Sequence, residues 1–132
     1  MSKLVYGLLT ADLIVDRDSG STSYIRTVEH AVVPEFPTVL PPIFFASLWD
    51  LEGKSEPFMV SLSLVGPGGV SKVLGEQEVT PGETLLHKMN FQLPGLKVEG
   101  EGRHAITAAV KQGNEWVTVA ELPLYVFQAA KG

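Results

Sequence analysis

The chain has 132 residues, 45% of them hydrophobic and 19% charged, with a formal net charge of -5 and no cysteine. That length makes one domain, able to remove about two-thirds of its unfolded surface from water, and that composition excludes a disordered chain. The missing thiols exclude disulfides, thiolate nucleophiles and cysteine-ligated metals, while an acidic balance with 10 scattered Lys and Arg argues against nucleic acid and anionic membrane as partners.

Lys3 ahead of Leu4-Val5-Tyr6-Gly7-Leu8-Leu9 invites a targeting reading, but Asp12 interrupts it and no small-residue cleavage site follows an apolar block of adequate length. No stretch approaches the roughly 20 apolar residues of a membrane span, so a soluble, cytoplasmic protein is expected.

Residues 4–15 read as one long or bent strand with a kink or bulge at Gly7, and the polar turn Asp16-Arg17-Asp18-Ser19-Gly20-Ser21 returns the chain as a second strand over residues 24–33. The four prolines of Pro34-Glu35-Phe36-Pro37-Thr38-Val39-Leu40-Pro41-Pro42 forbid a central strand, and they predict an extended crossover pinned to the core by Phe36, Val39 and Leu40. Residues 43–49 form an apolar strand and residues 50–57 a charged turn holding Gly53.

Residues 58–65 alternate cleanly, sending Phe58, Val60, Leu62 and Leu64 inward and Met59, Ser61 and Ser63 outward. Gly66-Pro67-Gly68-Gly69 turns that strand into another over residues 70–79, and Thr80-Pro81-Gly82 suits a type II turn. Residues 85–93 fit a helix imperfectly and a strand without gaps; the strand puts Leu85, His87, Met89, Phe91 and Leu93 on one face and Leu86, Lys88, Asn90 and Gln92 on the other. Loops at Pro94-Gly95 and Glu99-Gly100-Glu101-Gly102 lead to the last hairpin.

Gly113-Asn114 favours a two-residue primed turn, because both residues tolerate positive φ. With Gln112 opposite Glu115, the pairs run Lys111 with Trp116, Val110 with Val117, Ala109 with Thr118, Ala108 with Val119 and Ile106 with Glu121. Ile106, Ala108, Val110, Val117 and Val119 are then the core face, and Thr107, Ala109, Lys111, Trp116, Thr118 and Ala120 the other. Pro123 belongs on an edge or at a bulge.

About eight short strands without a convincing helix predict an all-β single domain over residues 1–132. The favoured architecture is an antiparallel β-sandwich, immunoglobulin-like in general outline, with a closed barrel as the alternative. The run of an N-terminal strand, then Val32-Val33-Pro34-Glu35-Phe36-Pro37, then Val39-Leu40-Pro41 and an apolar strand resembles a family of small uncharacterised bacterial proteins, a domain of unknown function. The resemblance covers nearly the whole chain, and its Pro-x-Phe-Pro segment is the most specific element. A Gly-x-Tyr pattern is expected to open the penultimate strand of that family; Gly102-Arg103-His104 has histidine at the aromatic position. The family implies no activity and no site residues.

Few motifs carry chemistry. Asp16-Arg17-Asp18-Ser19-Gly20 starts like a calcium loop, but its glycine comes one position early and Thr27 stands where the terminal glutamate belongs, so a solvated turn is expected. His30, His87 and His104 are the only imidazoles and have no metal-ligand spacing. No nucleophile elbow is present, Glu99 and Glu101 lie in a glycine-rich turn, a proline interrupts Gly66-Pro67-Gly68-Gly69, and no basic residue flanks the Pro34 and Pro37 pair. No catalytic residue, cofactor or metal is therefore expected.

Three functions remain in order. The first is a non-enzymatic interaction protein that forms a dimer or meets another protein partner, with Trp116, Lys111, Thr107 and Thr118 as the candidate surface. The second is a small-ligand or carbohydrate-binding sandwich stacking sugars on Trp49 or Trp116, and the third a metal-dependent hydrolase centred on the histidines.

Overall fold

The computed structural model describes residues 3–19, 21–52, 56–81, 85–93 and 95–130. Among them the chain forms β1 (Lys3–Val15), β2 (Thr22–Thr27), β3 (His30–Val33), β4 (Thr38–Val39), β5 (Ile43–Asp50) and β6 (Phe58–Val65). It continues with β7 (Ser71–Val79), β8 (Leu86–Leu93), β9 (Lys97–Val98), β10 (Gly102–Gln112) and β11 (Glu115–Gln128), and no helix interrupts them. Eight of these strands have six residues or more, which is the expected all-β count; β3, β4 and β9 are short additions. Gly20, Gly53, Gly82 and Pro94, which the sequence places in turns, lie outside the described residues.

The strands make a four-stranded sheet in the order β2-β1-β5-β8 and a five-stranded sheet in the order β3-β11-β10-β6-β7, with β4 and β9 pairing separately. From β5 the chain crosses to the second sheet for β6 and β7, returns for β8, and crosses again for β10 and β11. This is the immunoglobulin-like sandwich order. Neither sheet closes, so the architecture is a sandwich and not a barrel. The pairing is antiparallel except where β3 runs parallel to the end of β11, His30 beside Tyr125 and Val33 beside Gln128.

The inward rows are those of alternating strands. Val60, Leu62 and Leu64 of β6, with Ile106 and Ala108 of β10 beside them, face Phe45 and Trp49 of β5 and Met89 and Leu93 of β8 in one buried cluster. Burying each large side chain contributes about 1.5–3 kcal/mol. Gly75 completes the packing at the β7 edge, because a Cβ there would stand 2.9 Å from Cζ of Phe91 on the opposite sheet.

Trp49 sits at the centre, fully buried, with its ring 5.7 Å from that of Phe58. Burial obliges the indole N–H to find an acceptor. It donates to Oγ of Ser47 at 2.9 Å, and that hydroxyl donates to the carbonyl of Met89 at 2.8 Å. A polar residue on the core face of β5 is thus satisfied in both roles and ties β5 to β8.

The N-terminal hairpin does more than extend its sheet. Tyr24 pairs with Leu13, seven residues past Tyr6 and about 23 Å away along a straight strand, yet the two tyrosine hydroxyls meet at 2.6 Å. Lys88 of β8 likewise donates to Oγ1 of Thr22 at 3.2 Å. Both contacts require β1 to curl after it leaves β5 at Thr10, carrying β2 back over the outside of its own sheet. Ala46 and Thr10, whose positions face away from the sandwich interior, are fully buried beneath it.

Several sequence expectations change. Residues 24–33 are two strands in different sheets: Arg26 adopts a left-handed φ of 54° that ends the extended run, after which Val28 still bonds to Leu9 and Glu29 already bonds to Tyr125. The bulge of β1 falls between Leu4 and Tyr6, ahead of Gly7. Val39 points to solvent, because its two-residue strand pairs with β9 at the surface, whereas Leu40 is buried and Phe36 packs on the core. Leu85 is exposed ahead of β8, and Ser61, on the outward face of β6, is buried between its neighbours β7 and β10.

The terminal hairpin keeps the expected register from Gln112 and Glu115 as far as Ala109 and Thr118, and then a bulge shifts it. Ala108 pairs with Ala120 and Ile106 with Leu122, so Ala120, Leu122, Leu124 and Val126 turn inward in place of Val119. Val117 and Val119 are 39% and 37% exposed. The reason is that β3 flanks β11 only from Tyr125 onward, which leaves the first half of β11 as a sheet edge.

Ser47→Ala is expected to cost about 1–3 kcal/mol in urea unfolding, the usual effect of orphaning a buried donor, and adding Trp49→Phe should recover part of the hydrogen-bond loss by removing that donor.

Burial and the hydrogen bond with Tyr6 push the Tyr24 phenol up to about 12, from its ordinary 10.0. The unfolded chain loses this proton near pH 10 and the folded chain holds it to about 12, so the stability it contributes is complete below pH 10 and is lost as pH rises between those values. Tyrosinate absorbance during alkaline titration should show the late ionisation of Tyr24, and Tyr6→Phe should bring it earlier.

Candidate functional site

Two surfaces have the composition of a site. The first is the outer face of the five-stranded sheet, where the sequence placed its candidate residues. Trp116 pairs with Lys111, and Thr118 pairs with Ala109 on the same side. Thr107 lies further along β10 on that face, opposite Glu121 because of the bulge. Trp116 is 42% exposed, with the Lys111 ammonium 5.9 Å from its ring centroid, a cation–π contact that shields one side of the indole.

The other end of this face carries residues that sequence reasoning missed. Tyr125 and Phe127 project outward from β11 and stack at 6.2 Å, and His30 of β3 lies 6.0 Å from one ring and 6.5 Å from the other. Exposed Val32 extends the patch. Between this aromatic row and Trp116 the face is small or polar: Ala105, Thr107 and Ala109 of β10, Ser61 and Ser63 of β6, and one exposed ion pair, Arg103 with Glu121 at 3.3 Å. Only the alternation of Tyr125 and Phe127 was available in the sequence; the parallel strand that adds His30 comes from far away in the chain.

The second surface is a cleft of about 390 Å³ at one mouth of the sandwich. Leu64 and His104 form its inner wall, the turn over residues 66–70 one rim, and the segment over residues 97–100 the other. Lys72 enters it because it pairs with Leu64, and cross-strand partners share a face. The turn is held by the Gly69 and Gly66 amides, which donate to the carbonyls of Gly66 and Val70 at 2.9 and 3.0 Å. Gly102 lets this rim close on β10: its φ is +135°, and a Cβ there would lie 2.9 Å from Cγ of Pro67.

His104 is 3% exposed, and its Nδ1 lies 3.1 Å from the carbonyl oxygen of Gly102. A carbonyl only accepts, so Nδ1 carries the proton and donates, and in the neutral ring Nε2 keeps a lone pair. Nε2 has no hydrogen-bond partner among the described residues. The Lys97 ammonium approaches Glu99 at 3.6 Å on the rim, both side chains largely in water, whereas Lys72 has no ion-pair partner among the described residues. In the sequence these were ordinary solvated charges and one histidine without ligand spacing.

The other sequence candidates do not assemble. His30, His87 and His104 stand on β3, β8 and β10, and no metal-binding group of three or more His, Asp or Glu occurs among the described residues. The Asp16 carboxylate is engaged within its own turn by Oγ of Ser19 at 2.7 Å and the amide of Asp18 at 3.2 Å, and these bonds hold it below the usual aspartate range. Trp49 is core and offers no ring to a sugar. No helix among the described residues is long and apolar enough to cross a membrane.

Compared with known proteins, the chain matches no family model and no curated sequence.

Gly102→Ala is expected to destabilise the fold by more than about 1 kcal/mol, since alanine meets both an unfavourable φ and the Pro67 ring. Gly68→Ala, with open space around it, should be close to neutral in the same thermal melts.

Proposed function

We propose that the protein is a non-enzymatic interaction protein whose outer five-stranded face pairs with a second copy of itself. The observation that carries this reading is the exposed aromatic row of Tyr125, Phe127 and His30 on the same face as exposed Trp116. A monomer seldom leaves such a row in water, and symmetric dimers are the commonest way to cover one.

The face suits its own copy. From Trp116 to Phe127 is about 35 Å along the strand, and five strands span about 19 Å, giving roughly 700 Å², close to the ~800 Å² each partner contributes to a standard interface. A two-fold axis near Thr107 and Glu121 sets the Trp116 end of one copy on the aromatic row of the other. Arg103 and Glu121, paired at 3.3 Å within one copy, put both signs of charge close to that axis. The small residues between let two flat sheets approach.

A soluble, cytoplasmic setting goes with this proposal, supported by the net charge of -5. Kinship with the small bacterial Pro-x-Phe-Pro family belongs to it too, supported by Phe36 packing on the core and by Gly102 opening the penultimate strand.

Light scattering and sedimentation at micromolar concentration should show a dimer, and the pair Trp116→Ala with Phe127→Ala should yield a folded monomer. A wild type that stays monomeric throughout the concentration range removes the reading, and a dimer undisturbed by the double substitution removes the surface.

A further inference from the structure

The cleft beside His104 is separate from the face proposed for pairing. It sits on the inner side of the sheet at the mouth of the sandwich, where Leu64, Pro67 and Val70 supply apolar wall. Its volume of about 390 Å³ falls within the range of small-molecule sites. His104 lines the cleft with only Nδ1 bonded, which leaves Nε2 to meet a ligand donor or water.

We propose that this cleft binds a small hydroxy acid with an apolar body. The hydroxyl donates to Nε2 of His104, the acceptor nitrogen of the neutral ring when Nδ1 donates to Gly102. The carboxylate pairs with the Lys72 ammonium, the cation of the cleft that has no partner of its own among the described residues. Lys97 is a second source of positive charge, since its exposed contact with Glu99 is worth little and yields readily. The apolar body lies on Leu64, Pro67 and Val70. Glu99 on the rim repels a second negative charge, which favours a monoanion over a dianion.

The three parts can be separated with three probes: mandelate, phenylacetate, which lacks the hydroxyl, and mandelamide, which lacks the charge. In calorimetric or NMR titration of the whole chain, mandelate should bind saturably and each of the others about tenfold or more weaker, the loss of one charge-assisted or well-placed hydrogen bond. Lys72→Gln should weaken mandelate by a similar factor and leave mandelamide unchanged; its position on an exposed edge strand keeps folding out of the result. His104→Phe should erase the preference for mandelate over phenylacetate. Equal binding of all three probes, or none saturable, overturns the proposal, as does a Lys72→Gln protein that binds mandelate like the wild type. A His104→Phe protein that keeps the hydroxyl preference removes the imidazole from it.

Discussion

The hydrogen-bond chain from Trp49 through Ser47 to Met89 is the constraint on which the interior depends. An indole with no access to water cannot leave its N–H unpaired, so the position of the largest side chain in the core is set by a single hydroxyl two residues earlier on the same strand. That hydroxyl in turn needs a carbonyl, and it takes that of Met89 on β8, the neighbour on the far side from β1. The register of β5 and β8 is therefore fixed from inside as well as by the ladder. The apolar rows of β6 and β10 have a fixed surface to pack on.

With the interior set, the outsides of the two sheets part company. The curled hairpin of β1 and β2 covers the four-stranded sheet and buries Ala46 and Thr10. Oγ1 of Thr10 and Oδ1 of Asn90 are buried there without a partner among the described residues, which marks that cover as less well matched than the core. Among the described residues the five-stranded sheet has no such cover, and its outer face keeps Tyr125, Phe127 and Trp116 at the surface. Both the face proposed for pairing and the cleft belong to this sheet.

What could be read in the sequence was local. The alternation of β6 and the Gly113-Asn114 turn fixed facing and register because period and turn chemistry act over a few residues, and the prolines ruled out a central strand at residues 34–42. The bulge at Val119 was hidden because valine is at home on either face of a strand. The split of residues 24–33 was hidden because nothing in that run forbids one strand; Arg26 turns left-handed without being glycine or asparagine. Trp49 and Trp116 looked alike as candidates, and only the fold puts one in the core and the other at an edge. The cleft was out of reach for the same reason, since Lys72, Lys97 and His104 have no shared spacing and line one cleft only because β7, β9 and β10 are brought together.

The parallel contact of β3 with the end of β11 joins His30 to Tyr125, residues 95 positions apart. On a ribosome, β3 emerges early and waits for nearly the whole of the remaining chain before β11, its neighbour in the sheet, exists. Until then the five-stranded sheet cannot reach its final width, and loops of that length close slowly. The tail of β11 therefore acts as a latch: Gln128 donates to Glu101 and Pro34, Ala129 to Val33, and with those bonds the early and late thirds of the chain become one body. The outer edge of β11 is therefore covered only where the earliest strand of this sheet meets the last, and its first half stays open.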